Sequence, residues 1–410
     1  MDISRDGTVT VGPWPKGMNN RAQNHALPEG AARNAVNTDF DVAGKAKRRK
    51  GSTPVYFGIN TCNGFSCPAD CLFTESGVLK RFNNDNSSTA LCSLTGQRVT
   101  YHYLNGVIYL SDGLETKKIV NGLIYNWGLP TPSNVVLYGI PGEYSAGVYL
   151  GAVSFVDANG VESGASQIAT VSLNANCGVV FSNLPTTTDT QVAFLRLYLS
   201  TPNGAELYHI ADVAIGTTSY AINVGRYDDG NLLDLAHVYP PPAGDIIRSY
   251  KGRMYVASGP YVSYSDPFEP DHFRADNTLL FSIDIKIMEP VENGIFFATD
   301  KKTFYYGGVP DDGFQIVEVL PFGAIFGTGI SLPNQEGVMW QSQRGLIMGA
   351  NDGSVKNLQE ENVATESGTS GAMLVRRQDG IKQAIAVINN PQASSLAASS
   401  FIEAEIIRRS

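Results

Sequence analysis

The chain has 410 residues, of which 39 are acidic and 30 basic, so its formal net charge is −9. This acidic balance argues against a dedicated nucleic-acid binder, which normally carries a basic field. It does not exclude a channel wall along which DNA moves without being bound tightly. No apolar run approaches the roughly 18 residues of a membrane span, so we expect none. The N-terminal residues lack the apolar core of a secretory signal, which predicts a chain made in the cytoplasm.

Composition favours an all-β fold of two or three domains. Charged residues make up only 17% of the chain, while there are 42 glycines, 19 tyrosines and 18 phenylalanines. Glycine supplies the positive φ of tight turns, and aromatic side chains pack well on a pleated surface.

Residues 1–50 are expected to form an extended N-terminal arm, because Pro13, Pro15 and Gly17 interrupt regular structure. Within this arm, residues 28–36 could make one or two helical turns. The arm ends in a basic run, for which two interpretations stand: a solvated or ion-paired turn, or a contact with DNA or with a neighbouring subunit. The residues of this basic run are Lys45, Lys47, Arg48, Arg49 and Lys50.

A weak internal repeat follows the arm. Each copy is a turn residue plus glycine, an apolar-aromatic strand, and in most copies a second turn and strand. The copies lie at residues 105–113, 121–128, 251–266, 293–308 and 344–358, with an earlier hairpin starting at Cys71. Asn-Gly and Asp-Gly pairs permit the primed turns of hairpins. Radial repetition of such hairpins predicts a β-propeller of five or six blades in two parts, residues 51–133 and 227–370.

The repeat is interrupted at residues 134–226, where several short alternating strands predict an inserted β-sandwich. The turn at 160–166 and the strand at 192–200 resemble a fibronectin type III-like module. After the propeller, residues 371–410 are expected to form a tail. Strands are predicted at 372–377 and 383–389, and the spacing of Phe401, Ala404 and Glu405 predicts a C-terminal helix starting near Ser394.

Five cysteines invite a metal interpretation, because Cys62, Cys67 and Cys71 fall within ten residues and Cys92 follows. Their C-x4-C-x3-C spacing matches no zinc pair of the C-x2-C kind. The odd count, completed by Cys177, argues against a full disulfide framework. We therefore predict free, partly buried thiols and no metal.

No residue is nominated for catalysis, and no cofactor is expected. The five histidines lie far apart, and no metalloprotease, nucleophile-elbow or phosphate-loop motif occurs. The glycine-rich segment 322–329 is interpreted as a structural turn. Adjacent carboxylates at 228–229, 311–312 and 360–361 are typical of loop tips, although a glycosidase needs only two carboxyl groups across one sugar. Aromatic pairs such as Phe296 and Phe297 are interpreted as packing, with sugar stacking as the alternative.

Segments 16–51, 237–273, 320–329 and 340–355 carry a family resemblance. The first reads KGMNNRAQNHALPEGAARNAVNTDFDVAGKAKRRKG and resembles the opening of bacteriophage tail proteins of the nozzle or tubular type. HVYPPPAGDIIRSYKGRMYVASG and WQSQRGLIMGANDGSV are similar to a structural-protein family of phages and prophages.

The resemblance implies a non-enzymatic structural protein of the virion, assembled as a homo-oligomer, with a hexameric ring favoured. Such a ring forms the channel that retains and then releases the genome, with transient non-specific contact to viral DNA. The implied partners are other tail proteins: an adaptor, the portal side and fibres. Nozzle, adaptor, stopper and decoration remain open as positions in the tail.

Two other functions are weighed. One is a tail-associated binding module for host surface glycan or for tail fibres. The other is a propeller glycoside hydrolase, for which the strings YLSDG and GANDGSV are incomplete versions of a sialidase box.

Overall fold

The structure, a computed structural model, describes residues 2–3, 9–10, 12–35, 38–41, 43–48, 54–95, 98–224, 231–235, 237–333, 336–365, 368–378, 381–389 and 401–406. The chain divides into two compact units, one of Met1–Phe57 with Ser282–Ser410 and one of Gly58–Phe281. The described residues are nearly all β, in many small antiparallel sheets, with two short 3-10 turns and no α-helix. Within these ranges no helix is long and apolar enough to cross a bilayer.

The N-terminal part of the first unit contains two small strand pairs and a 3-10 turn at Asn24–Ala26. Strands β1 and β2 pair with each other, as do β3 and β4. Their bounds are β1 Asp2–Ile3, β2 Val9–Thr10, β3 Thr38–Phe40 and β4 Ala46–Arg48.

The helical turns predicted for residues 28–36 are wrong over residues 28–35, and residue 36 lies outside the described residues. The chain makes one tight turn, in which the Ala31 N–H donates to the Pro28 carbonyl. Gly30 then takes a φ of 79°, a value that ends a helix. The carbonyl of Gly30 accepts from Lys16, and Ala32 exchanges hydrogen bonds with Gly17 and Asn19. Pairing with a distant segment therefore uses the backbone groups that a helix would need.

The second unit begins with two four-stranded meanders, in which each strand pairs with its neighbours in sequence. The turns between their strands use the Asn-Gly pairs as predicted: Asn105, Gly106, Asn121 and Gly122 all have φ between 49° and 85°. The strands are β5 Thr61–Ser66, β6 Cys71–Glu75, β7 Val78–Phe82, β8 Ser88–Ser93, β9 Thr100–Leu104, β10 Val107–Ser111, β11 Thr116–Val120 and β12 Leu123–Asn126.

Seven strands at the centre of the second unit form two sheets, in the orders β13-β16-β19 and β15-β14-β17-β18. Residues of both sheets, such as Phe181 from one and Leu197 from the other, meet in one buried hydrophobic cluster. The strands are β13 Val136–Tyr144, β14 Gly147–Asp157, β15 Ala169–Leu173, β16 Cys177–Ser182, β17 Val192–Ser200, β18 Leu207–Ala214 and β19 Ser219–Ile222.

A five-stranded sheet completes the second unit, in the order β20-β24-β23-β22-β21. Its buried Ile247, Val256 and Phe273 pack with Tyr109 of β10 and with Trp127. The strands are β20 Val238–Tyr239, β21 Ile246–Tyr250, β22 Arg253–Ser258, β23 Tyr261–Asp266 and β24 Glu269–Leu280.

The C-terminal part of the first unit contains two further four-stranded meanders, built around the buried Phe296 and Trp340. A 3-10 turn at Pro310–Asp312 precedes the last strand of the first meander. The strands are β25 Ile287–Val291, β26 Gly294–Ala298, β27 Thr303–Gly307, β28 Gln315–Leu320, β29 Ile330–Ser331, β30 Val338–Ser342, β31 Gly345–Gly349 and β32 Val355–Asn357. The repeat copies at 251–266, 293–308 and 344–358 are hairpins, as predicted.

In the last sheet, part of the predicted C-terminal helix is a strand. Strands β33 Ser370–Gln378 and β34 Ile381–Asn389 confirm the two strands predicted in the tail. Phe401–Ile406, however, is a strand, β35, which pairs antiparallel with β34 from Val387–Phe401 to Lys382–Ile406. All six residues have a partner on the edge of β34, and this antiparallel pairing overrides the weak helical spacing. Residues 394–400 of the predicted helix lie outside the described residues.

Candidate functional site

The basic run at the end of the arm lies around the short hairpin of β3 and β4. Lys45, Lys47 and Arg48 are exposed, whereas Arg49 and Lys50 lie outside the described residues. The Lys47 ammonium lies 3.8 Å from the Asp41 carboxylate. An exposed pair of this kind contributes about 0–1 kcal/mol, so Lys47 can exchange Asp41 for another anion at little cost.

A network of polar side chains, which we call the Arg196 cluster, lies on the sheet of β14, β15, β17 and β18. Leu195, Leu197 and Leu199 of β17 are buried in the cluster shared with the other sheet. Because strand side chains alternate between faces, Arg196 lies on the opposite face, in register with residues of both neighbouring strands. The cluster consists of Ser154, Glu162, Arg196, Tyr198, His209 and Asp212.

Arg196 is the centre of this cluster. Its Nε and Nη2 donate to the two carboxylate oxygens of Asp212 at 2.9 and 3.0 Å, and its Nη1 donates to Glu162 Oε2 at 3.1 Å. Glu162 Oε1 accepts from Tyr198 Oη at 2.6 Å and from Ser154 Oγ. His209 Nε2 lies 3.0 Å from Asp212 Oδ1.

These contacts shift the pKa values of Arg196, Tyr198 and Asp212 so that each group keeps its usual ionisation state at pH 7. The hydrogen bond to Asp212 raises the pKa of Arg196, and burial together with the bond to Glu162 raises the pKa of Tyr198. Burial alone would raise the pKa of Asp212, but the Arg196 and His209 contacts outweigh it and lower that pKa. All four carboxylate oxygens of Glu162 and Asp212 already accept hydrogen bonds, so the cluster joins strands rather than offering a general base.

Sequence reasoning missed the Arg196 cluster. Its only signal is the alternation of the segment LRLYLS, where Arg196 and Tyr198 stand between leucines. Glu162 comes from the separate turn at 160–166, and nothing in its spacing indicates that it reaches Arg196.

The four clustered cysteines do not converge. Cys62 is exposed at β5, where its Sγ lies 3.1 Å from Thr74 Oγ1, whereas Cys67, Cys71 and Cys92 are half-buried. Burial raises the pKa of the Cys92 thiol, which makes it a poor thiolate ligand. In the part of the chain that the structure describes, no three His, Cys, Asp or Glu side chains are grouped for a metal ion.

The glycine-rich segment 322–329 is a buried turn. Thr328 Oγ1 donates to the Ile325 carbonyl and accepts from the Gln341 N–H. A Cβ added at Gly323 would lie 2.0 Å from the Thr299 carbonyl oxygen, so close backbone packing accounts for that glycine. Of the paired carboxylates, those at 311–312 and 360–361 are exposed at turns, and those at 228–229 lie outside the described residues.

One cleft of about 240 Å³ lies between the first two meanders of the second unit. Its carboxylate, Asp70, is bound by Arg81 Nε at 2.6 Å, and Arg81 Nη2 donates to the Gly122 carbonyl at 3.0 Å. The cleft is smaller than the usual 300–1,000 Å³ of a ligand site, and its charged group is already neutralised. It is lined by Ala69, Asp70, Gly106, Ile108, Ile119, Asn121 and Gly122.

His102 is half-buried between β9 and β21, where its Nε2 lies 2.8 Å from Ser249 Oγ. Burial, with a smaller contribution from the charge of Arg248, lowers the pKa of His102 to about 3. The imidazole is therefore neutral in the folded chain at pH 7.

Acid is expected to destabilise the chain through His102. The unfolded state binds this proton near pH 6.5 and the folded state only near pH 3, so stability from the neutral ring is complete above pH 6.5 and lost as the pH falls towards 3. A shift of more than two pKa units corresponds to at least about 2 kcal/mol. Urea unfolding between pH 7 and pH 4 measures this loss, and His102→Gln should flatten it. His25→Gln, an exposed control in the arm, should not.

Large apolar side chains are exposed at many places in the described chain, and two of these places were not singled out from the sequence. Val55, Phe57 and Ile59 alternate along residues 54–59, and Ile316 and Val317 lie on β28. The period-2 pattern of VYFGI indicates a strand. Nothing in that pattern indicates that its apolar side chains are exposed.

Comparisons with known proteins assign the chain to no family and no function. No protein-family model matches it, and no curated protein matches it significantly. Apo AztD from Citrobacter koseri aligns with 75% of this chain and 88% of its own, at 12% identity and a TM-score of 0.29. PorZ, a surface component of the type-IX secretion system of Porphyromonas gingivalis, aligns with 81% of this chain and 59% of its own, at 12% identity and a TM-score of 0.24. TM-scores this low establish neither a shared fold nor a shared function.

Proposed function

We propose that this chain is a structural, non-enzymatic component of a bacteriophage tail. It would assemble as a homo-oligomeric ring, a hexamer being favoured, that lines the channel for genome retention and ejection. The family assignment rests on the resemblance of residues 16–51, 237–273, 320–329 and 340–355. It includes location in the virion after synthesis in the host cytoplasm, and contacts with adaptor, portal-side and fibre proteins.

The fold that accompanies this proposal is a β-propeller with an inserted fibronectin type III-like sandwich. Four-stranded meanders that recur along the chain support blades, because each blade of a propeller is such a sheet. The two central sheets with a common core support the sandwich.

The observation that carries the assembly role is the exposure of large apolar side chains on strand-like segments. Val55, Phe57 and Ile59 on residues 54–59, and Ile316 and Val317 on β28, are each more than half exposed. Exposed apolar edges are a liability for a monomer, because they template pairing with another chain. A protein that functions inside an assembly has such edges covered by its neighbours.

The proposal is tested on the purified full-length chain by mass measurement and electron microscopy. The expected result is closed rings, with six copies favoured, and detection of the chain in purified tailed particles by mass spectrometry. A chain that remains monomeric at all concentrations and is missing from such particles would remove the proposal.

The basic run is proposed to contact DNA weakly and without sequence preference. Exchanging Lys45, Lys47 and Arg48 for glutamate should weaken DNA binding by assembled rings. It should also reduce the slope of the log binding constant against the log salt concentration by about three. Binding measured over a salt series checks this. Glutamate at Lys251, Lys301 and Lys356 provides a control of equal charge, and an equal effect from both triples would contradict the role.

The second candidate, a binding module for host glycan or fibres, has one supporting observation. Tyr138 and Tyr220 are exposed on opposite faces of the sheet of β13, β16 and β19, and an exposed aromatic ring on either face can stack on a sugar. Binding of the purified chain to host cells, abolished by alanine at both tyrosines, would favour this role over the ring.

A further inference from the structure

Residues 54–59, which we call the connector, have the pattern of a strand but belong to no strand in the described chain. Exposure alternates along them: Val55, Phe57 and Ile59 are 63%, 86% and 75% exposed, whereas Tyr56 and Gly58 are half-buried. This period of two is the period of an extended strand. Ile59 is anchored by its N–H, which donates to Glu75 Oε1, and by its carbonyl, which accepts from Ser76 Oγ.

Strand β28 is the complementary feature. It is the last strand of its sheet and pairs only with β27, so within the described residues its outer edge has no partner strand. Ile316 and Val317 are 58% and 53% exposed and point to opposite faces. An open edge of this kind accepts an added strand through its backbone N–H and C=O groups.

The one charged residue of β28 does not block such pairing. Edge strands often carry a charge that repels an incoming strand. Here Glu318 is neutralised by Lys302 of its own sheet, with Nζ and Oε2 2.6 Å apart. The edge therefore presents apolar side chains and a compensated carboxylate.

We propose that the connector of one copy of this chain adds as a strand to the open edge of β28 in the next copy. The inference rests on the proposed homo-oligomer and names the contact that would join its subunits. The connector bears no charge. When Val55 is aligned with Ile316, Ile59 lies beside Leu320, Tyr56 beside Val317 and Phe57 beside Glu318. Both elements are about six residues long, so the pairing covers β28 from end to end.

Charge selects a parallel direction. Lys50 stands five residues before Val55, just as Asp311 stands five residues before Ile316. In sequence, therefore, a parallel pairing that aligns Val55 with Ile316 has the basic residues and the acidic Asp311 and Asp312 before the same end of the pair. An antiparallel pairing would carry the basic run past Leu320, towards residues 321–329, which contain no acidic side chain.

The geometry also favours a ring. The donor and the acceptor are different surfaces, so the contact is heterologous, and heterologous contacts generate closed rings when the rotation closes. One added strand buries less than the roughly 1,200 Å² of a stable interface. Closure of a ring compensates, because each copy is then held at two contacts.

A photo-crosslinking amino acid in place of Phe57 tests the contact in the full-length assembly. Mixing isotopically heavy and light chains distinguishes crosslinks between copies from crosslinks within one copy. The expected result is heavy–light crosslinks between position 57 and residues 315–320.

Two sets of variants test affinity. Val317→Lys should weaken association by about tenfold or more, the effect of losing a central interface residue. Leu123→Lys, which charges another exposed apolar residue on the edge strand β12, should not. Lys50→Asp and Asp311→Lys should each weaken association several-fold, and together they should restore it.

Three results would overturn the inference. Intact rings whose crosslinks fall elsewhere, or only within one copy, would overturn this contact and leave the ring proposal standing. Equal effects of Val317→Lys and Leu123→Lys would do the same. A wild-type chain that stays monomeric would overturn this contact and the proposed ring together.

Discussion

Replacing Trp340 by alanine is expected to lower the free energy of unfolding of its unit by about 3–5 kcal/mol, the cost of deleting a large buried aromatic side chain. Trp340 is fully buried at the centre of the cluster formed by β25–β32. Its ring lies 5.4 Å from that of Phe296, and a Cβ on Gly349 would touch its edge at 3.0 Å. Because neighbours this tight cannot collapse fully, a cavity should remain. Urea unfolding followed by circular dichroism measures the loss.

Trp340→Phe is the matched control. The indole Nε1 is buried and has no hydrogen-bond partner among the described residues, so phenylalanine removes an unsatisfied donor while keeping the contact with Phe296. The expected loss is no more than about 2 kcal/mol, because relief of the unsatisfied N–H offsets part of the lost volume. Equal losses for alanine and phenylalanine would show that packing around Trp340 is not what stabilises the unit.

Replacing Glu162 by alanine is expected to cost about 3 kcal/mol in the second unit. The change leaves the buried Tyr198 hydroxyl without its acceptor and removes one of the two carboxylates that Arg196 contacts. An unsatisfied buried donor costs about 1–3 kcal/mol, and the loss of a part-buried ion pair adds to this cost. Urea unfolding at pH 7 checks the value.

The controls for Glu162 separate the network from simple loss of a carboxylate. Glu143→Ala removes an exposed carboxylate from the neighbouring sheet and should change stability by less than about 0.5 kcal/mol. In a double-mutant cycle, Glu162→Ala should cost less when Tyr198 is already phenylalanine, because no hydroxyl then loses its acceptor. Additive losses would contradict the hydrogen-bonded network.

Local turn chemistry was the part of the fold that could be predicted. Asn105-Gly106 and Asn121-Gly122 predict hairpin turns because asparagine and glycine tolerate positive φ, and the structure has positive φ at all four residues. The hairpins at 251–266 and 293–308 formed as predicted, but they turn at Gly259-Pro260 and at residues 299–302 and not at an Asn-Gly pair. By contrast, the Arg196–Asp212 pair joins residues on two strands, and their contact depends on the register between β17 and β18.

The two wrong predictions share one cause. Both the arm at 28–35 and the tail at Phe401–Ile406 have short stretches compatible with a helix. In the first, backbone groups bond to residues 16–19; in the second, they bond to β34. A short helix in water is marginal, so a distant strand or loop that offers hydrogen bonds decides the local structure.

The amino-acid sequence by itself determined the all-β class, the hairpin turns and the absence of any recognisable catalytic motif, because these depend on the local properties of residues. Only the tertiary structure decided which charged groups are neutralised and which strand edges stay open. Glu318 is compensated because Lys302 lies beside it, and Val317 is exposed because its sheet ends at β28. Neither fact is readable from one segment, since the first depends on the register between β27 and β28 and the second on where the sheet stops.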